Sequence, residues 1–216
     1  MNVKVVIFDF DGTLADTLDA LVNITNRLAG EFGYQPADPD ELAQVRNLSS
    51  REIIRRAGIP IFKLPFLLKK VRDDLHNDIH TLNPIVGIKE ALINLSNEGH
   101  CLGILTSNSE ENVKIFLKKH GMQDLFSFIE SETSLFSKDK SIRRLMKKKH
   151  LSAEQLIYVG DETRDIEASK KIHIKVIAVS WGFNSGEVLA KHNPDFLIDK
   201  PCELLDVLGR LQQIVS

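Results

Sequence analysis

The 216-residue chain predicts an α/β fold, a parallel sheet with helices on both faces and an all-helical segment inserted after the first strand. Three observations predict it. Short apolar runs alternate with single amphipathic stretches, the pattern of repeated βα units and hence of parallel strands. Residues from 16 to about 81 interrupt that alternation without one convincing strand-like run. The first run, Val5-Val6-Ile7-Phe8, ends in Asp9-Phe10-Asp11-Gly12, which puts two carboxylates on one side of an extended backbone just before a glycine turn.

Taken in order, residues 3–8 form the first predicted strand. Residues 18–32, 39–45, 51–57 and 66 to about 79 read as helices, with turns at Pro36-Ala37-Asp38-Pro39 and Gly58-Ile59-Pro60. The chain returns to the sheet near Asn83-Pro84. Strands are then expected over 101–106, 126–129, 156–159, 174–179 and 196–198, and helices over 88–97, 113–120, 142–149, 165–171 and 204–214. This divides the chain into a Rossmann-like α/β core, residues 1–15 and 82–216, and a helical cap, residues 16–81. No internal repeat or low-complexity segment is visible.

With 28 basic and 30 acidic residues the formal net charge is −2, which calls for neither nucleic acid nor an anionic membrane as partner. The basic run from Lys138 to His150 lacks interleaved aromatics and reads as a solvated face. Cys101 and Cys202 are too few for a disulfide framework, and no apolar run reaches the roughly 18–20 residues of a membrane span. A cytoplasmic protein is expected, a monomer or homodimer.

Ligands of an open parallel sheet bind beyond the carboxyl ends of its strands. Asp9 and Asp11 lie at the first such end, and Thr106-Ser107-Asn108-Ser109 at the next, where hydroxyls and N–H groups before a helix suit a phosphate or simply cap the helix. Gly160-Asp161 and Asp165 follow the strand over 156–159, and Lys138 stands ahead of another helix. Four separate segments thus offer carboxylates, a hydroxyl and an ammonium to one crevice.

In these motifs the chain resembles the haloacid dehalogenase-like hydrolase superfamily, in its phosphoglycolate-phosphatase-like branch with a helical cap. The first motif of that superfamily resembles Asp9-Phe10-Asp11-Gly12-Thr13-Leu14, the second Thr106-Ser107-Asn108 and the fourth Gly160-Asp161 with Asp165. The motif lysine falls to Lys138, which Ile142 and Leu145 on the following helix face favour over Lys140; the Lys-Pro pair common in the branch is lacking. The resemblance implies a phosphatase for a small phosphorylated metabolite such as phosphoglycolate, a sugar phosphate or a nucleotide. Asp9 would be the nucleophile and Asp11 the acid–base partner. Ser107, Asn108 and Lys138 would bind the phosphoryl group, and Mg²⁺ would be held by Asp9, Asp11 through its backbone carbonyl, Asp161 and Asp165. Dehalogenases and phosphonatases lack the second aspartate, so Asp11 argues for ester hydrolysis. Sugar phosphomutases carry a histidine where this chain has Leu21. The alternatives are a non-catalytic phospholigand-binding regulatory protein and a phosphotransferase or mutase of the same fold.

Three further groups are legible. Arg46, before Asn47, stands where this branch places a cap loop that enters the site, and either meets a substrate carboxylate or second phosphate or is a surface arginine. Trp181-Gly182-Phe183 follows a core strand and lines the pocket or packs in the core. His76 and His80, four apart among Asp73, Asp74 and Asp78, read as a solvated cap helix rather than a metal pair.

Overall fold

In the computed structural model, which describes residues 3–38, 41–132 and 137–213, six strands form one parallel sheet. They are β1 (Val5–Phe8), β2 (Cys101–Thr106), β3 (Phe126–Ser131), β4 (Leu156–Gly160), β5 (Lys175–Val179) and β6 (Phe196–Ile198). Their order is β3-β2-β1-β4-β5-β6, so the direction of winding reverses between β1 and β4. At such a switch point the loops leaving two neighbouring strands diverge and leave a crevice between them.

The sheet is covered on both faces, which is why its central strands are continuous apolar runs rather than alternating ones. In β1, Val6 and Phe8 join a core cluster with Leu92, Phe116 and Leu208. Val5 and Ile7 point the other way and join Ile142, Leu145 and Tyr158. The first face is supplied by α5 (Ile88–Asn97), α6 (Glu110–Lys119) and α10 (Glu203–Gln213), and the second by α7 (Lys138–Lys149). Ile166 of α8 (Thr163–Lys171) and Leu189 of α9 (Gly186–Lys191) pack on Val176 and Ala178 of β5.

Between β1 and α5 lie α1 (Leu18–Phe32), α2 (Leu42–Val45), α3 (Ser50–Arg56) and α4 (Leu64–Asp78), with no strand among the described residues. These helices have an apolar cluster of their own, Ile24, Leu28 and Phe32 of α1 against Leu67, Val71 and Leu75 of α4. The chain leaves and re-enters the sheet domain through two segments bonded side by side: Asp16 N donates to Asn83 O at 2.9 Å, and Ile85 N to Leu14 O at 3.0 Å.

Helix starts are where the structure departs from the sequence expectation. α6 begins at Glu110 rather than 113, α7 at Lys138 rather than 142, and α8 at Thr163 rather than 165. Periodicity registers only the apolar stripe, whereas first turns are polar because their N–H groups are capped by side chains. Ser109 caps α6 in this way, and Ser49 with Glu52 forms a capping box for α3. Helix α9, capped by Ser185, is unexpected; with only Val188 and Leu189 buried it is too short to show a period. The helix start expected at Pro39 and the end expected at Ile214 lie outside the described residues.

Gly103 of β2 pairs with Phe128 of β3, and a Cβ at Gly103 would lie 2.0 Å from the tip of the Phe128 ring. Gly103→Ala is therefore expected to lower stability by about 1–3 kcal/mol through overpacking. In a Phe128→Ala background the same change should cost much less, because the ring that blocks the methyl is gone. Urea unfolding midpoints of the two single variants and the double variant check this.

Candidate active site

The crevice at the switch point is built by the turns after β1 and β4. Asp9 N donates to Val159 O at 2.9 Å, extending the pairing of the two strands by one residue. The chain then folds back on itself, with Leu14 N and Ala15 N both donating to Phe10 O at 2.9 and 3.0 Å. Gly12 makes this turn possible at φ 75°, and a side chain there would lie 2.3 Å from Asp161 Oδ2. A Cβ at Gly182, in the loop after β5, would meet the same oxygen at 2.3 Å. Backbone therefore closes on the Asp161 carboxylate from two sides.

Asp9, Asp161 and Asp165 are buried and present carboxylate oxygens within 4.8 Å of one another. Asp9 accepts from Phe10 N at 2.8 Å and from Lys138 Nζ at 2.6 Å, and the same ammonium bonds Asp165. The other Asp165 oxygen accepts from Glu162 N at 3.1 Å. Asp161 accepts from Thr13 Oγ1 at 2.7 Å and from Phe183 N at 2.6 Å. Lys138, at the first turn of α7, is 2 % exposed, whereas Lys140 is exposed. Its helix start is held by Glu132, a buried carboxylate that accepts from Ser137 and Ser141 on either side of the lysine, at 3.3 and 2.9 Å.

Burial sets the electrostatics. It pushes Asp161 well above the carboxylate range, helped by the charges of Glu162, Asp9 and Asp165. It pushes Asp165 up to about 6 against the pull of Lys138. Burial opposes the Lys138 charge, but Asp165 and Asp9 outweigh it and hold the ammonium above its usual range. One lysine does not balance three clustered carboxylates, and an all-oxygen donor set of this kind fits a hard divalent cation such as Mg²⁺.

Asp11 is set apart from this cluster. Asn108 Nδ2 donates to both of its oxygens, at 3.0 and 3.2 Å. Burial, reinforced by the charge of Asp9, lifts Asp11 to about 7. The Asn108 side chain is itself fixed, because its Oδ1 accepts from Ser109 N at 2.8 Å and Asn112 Nδ2 at 3.0 Å. Ser107, Asn108 and Asp11 line one crevice of about 230 Å³, whose far wall is the apolar underside of α3 and α4 around Ile53, Leu67 and Val71.

The crevice also receives Arg164 and Phe183. Arg164 escaped the sequence reading as a ligand group; its only signal is its position between Asp161 and Asp165 at a strand-to-helix turn. Its side chain is 10 % exposed and paired with Glu162. Arg46 donates from Nε to Phe183 O at 3.1 Å and from Nη2 to Gly182 O at 2.9 Å, and it lines an adjoining cavity of about 220 Å³ that shares Leu21, Ile53, Leu67 and Phe183 with the crevice. The Trp181 loop divides its roles: Trp181 packs on the core and donates to Thr13 O at 3.2 Å, while Phe183 reaches the crevice. His76 Nδ1 sits 2.7 Å from Asn112 Oδ1, tying α4 to α6.

Comparison with known proteins fits this geometry. The sequence pattern of the family described as haloacid dehalogenase-like hydrolase matches residues 6–179. A phosphoglycolate phosphatase from Synechococcus elongatus is 38 % identical over 211 residues, 98 % of this chain and 100 % of the relative. One from Vibrio cholerae serotype O1 is 30 % identical over 223 residues, 96 % and 97 % of the two chains. A haloacid dehalogenase-like family hydrolase from Streptococcus pneumoniae superposes with a TM-score of 0.78 at 22 % identity, covering 96 % of this chain and 99 % of its own, which speaks for the fold. Among the described residues no helix is long and apolar enough to cross a membrane.

A carboxyl with a folded pKa of about 7 binds its proton more tightly in the folded than in the unfolded chain, where an aspartate titrates near 3.9. Between about pH 4 and pH 7 the folded state therefore holds a proton that the unfolded state has lost, and stability falls as pH rises through that window. Thermal melts without divalent cation should show a Tm declining over this range. Asp165 and Asp161, raised as well, add to it, so Asp11→Asn should make the decline shallower without removing it; an unchanged slope in the variant would exclude Asp11 as a contributor.

Proposed function

The chain belongs to the haloacid dehalogenase-like hydrolase family, and from that premise we propose that it hydrolyses phosphate monoesters of a small metabolite, Mg²⁺-dependently and through an aspartyl-phosphate. The observation that carries this reading is the division of labour between two aspartates two residues apart. Asp9 lies against the buried ammonium of Lys138, while Asp11, held by Asn108, is raised to about 7. A nucleophile needs positioning and a neighbouring cation, and a group that gives and then takes a proton needs a pKa near working pH.

In the first step the Asp9 carboxylate attacks phosphorus, the ester P–O bond breaks, and the leaving alkoxide takes the proton from Asp11. In the second, Asp11 as carboxylate takes a proton from the water that attacks phosphorus, releasing inorganic phosphate and restoring Asp9. Ser107, Asn108 and Lys138 orient the phosphoryl oxygens. Asp9, the backbone carbonyl of Asp11, Asp161 and Asp165 are the residues that would hold Mg²⁺, which when bound neutralises phosphoryl charge.

Residues 16–81 act as the cap that closes over the crevice and excludes water, a reading supported by their separate apolar cluster and by the α3–α4 wall of the crevice. Leu21 lines the crevice, and with no histidine there the reading is hydrolysis rather than phosphoryl relay between sugar positions. Phosphoglycolate is the first substrate to test, given the names of the relatives. Arg164, beside Asp11 and 10 % exposed, is the group suited to its carboxylate.

Purified protein assayed on a panel of phosphate monoesters should release phosphate with Mg²⁺ and not with chelator. Asp9→Asn should abolish turnover, and Asp11→Asn should lower it about 10²- to 10⁴-fold. If no ester is cleaved above the Asp9→Asn background, the proposal fails. Arg164→Ala should raise KM for phosphoglycolate far more than for ethyl phosphate, which lacks the carboxylate; equal changes would exclude Arg164 from substrate recognition.

A further inference from the structure

We propose that Asn184 is a positioning residue that makes docking of the helical cap and fixation of the Asp161 carboxylate one event. The inference rests on the phosphatase reading above for its kinetic consequence, and on hydrogen bonds alone for its structural one. Asn184 is fully buried in the loop after β5, and three of its polar groups bond different segments. Its side-chain oxygen accepts from Thr163 N at 2.9 Å, at the start of the helix that carries Asp165. Its side-chain nitrogen donates to Arg46 O at 3.1 Å and to Leu48 O at 2.9 Å, both in the turn between α2 and α3. Its backbone N–H donates to Asp161 O at 3.2 Å.

The neighbouring contacts run along the same seam. Ser185 N donates to Arg46 O at 3.0 Å, Arg46 grips the carbonyls of Gly182 and Phe183, and the Ser50 hydroxyl donates to Glu162. Phe183 N, inside the loop that Arg46 grips, donates to Asp161 Oδ2. An amide side chain offers an acceptor oxygen and two N–H donors in a single plane, and here the oxygen and both donors are bonded. A buried amide that loses its partners pays the desolvation penalty in full. When the cap lifts, Asn184 must therefore hydrate, and the loop holding the Asp161 carboxylate loosens with it. The nucleophile would then meet a completed site only while the cap shields it from bulk water, which is the order that a hydrolase forming a water-sensitive acyl phosphate requires.

The test uses two variants on opposite sides of the seam. Asn184→Asp keeps the shape and the acceptor for Thr163 but sets an oxygen against two carbonyl oxygens. Arg46→Ala removes the grip on residues 182 and 183 while keeping its own carbonyl. Trp181, the single tryptophan, lies in this loop and reports on it without turnover. Each variant should at least double the acrylamide quenching constant of Trp181 with unchanged far-UV circular dichroism. On the ester that the wild type cleaves, each should lower kcat at least tenfold with KM within about twofold. The double variant should fall no lower than the worse single one, because both changes open the same seam. Wild-type quenching in both variants, or kcat losses that multiply, would overturn the proposal. Should the wild type cleave no ester, the phosphatase reading fails and quenching alone decides the coupling. If Asn184→Asp does not fold, Arg46→Ala decides it by the same two measurements.

Discussion

The constraint on which this molecule depends is the burial of like charges at the β1–β4 switch point. Asp9, Asp161 and Asp165 converge where each is almost wholly withdrawn from water, and a single ammonium, Lys138, bridges two of them. Such a cluster is costly unless every lone pair is bonded and counter-charge is supplied. Much of the surrounding backbone is recruited to meet that demand: Phe10 N, Glu162 N and Phe183 N each donate to one of the three carboxylates. The glycines at 12 and 182 follow from the same demand, because backbone can come that near a carboxylate only where no Cβ intervenes.

Function follows from how unevenly the burden is shared. Asp9 receives the ammonium; Asp11, two residues on, receives the Asn108 amide, and burial together with the charge of Asp9 lifts it to about 7 against that bond. The alternation of a strand supplies the pair, but the difference between the partners comes from burial and from elements remote in sequence, Lys138 on α7 and Asn108 just beyond β2. Positioning is likewise layered: Glu132 steadies the start of α7 through Ser137 and Ser141, and Asn112 steadies Asn108. On the helical side the 46–50 turn meets the 182–185 loop through hydrogen bonds of the same kind.

Much of this was legible in the sequence, and the parts that were share a property. The six strands are short, apolar and punctuated, and the chemical residues sit immediately after them, so their convergence follows from the rule that parallel strands end at one edge. Helix starts were less legible because capping turns carry no apolar signal. Arg164 was hidden for another reason: an arginine in a turn between two aspartates reads as a surface ion pair until the fold shows that the turn faces an enclosed crevice. Arg46 was legible as a substrate partner or a surface arginine, but which carbonyls it meets depends on how the helical segment docks, and local sequence does not encode that docking.

The sequence by itself determined the parallel α/β architecture, the helical insertion and the arrival of Asp9, Asp11, Ser107, Lys138, Asp161 and Asp165 at one edge, because strand alternation, turn chemistry and chain order are local properties. Tertiary structure alone decided that burial pushes Asp11 up to about 7, that Arg164 lines the crevice beside it, and that Asn184 bonds both the 46–48 turn and Thr163. Those are consequences of burial and of contacts between residues far apart in the chain, for which a linear pattern carries no signal.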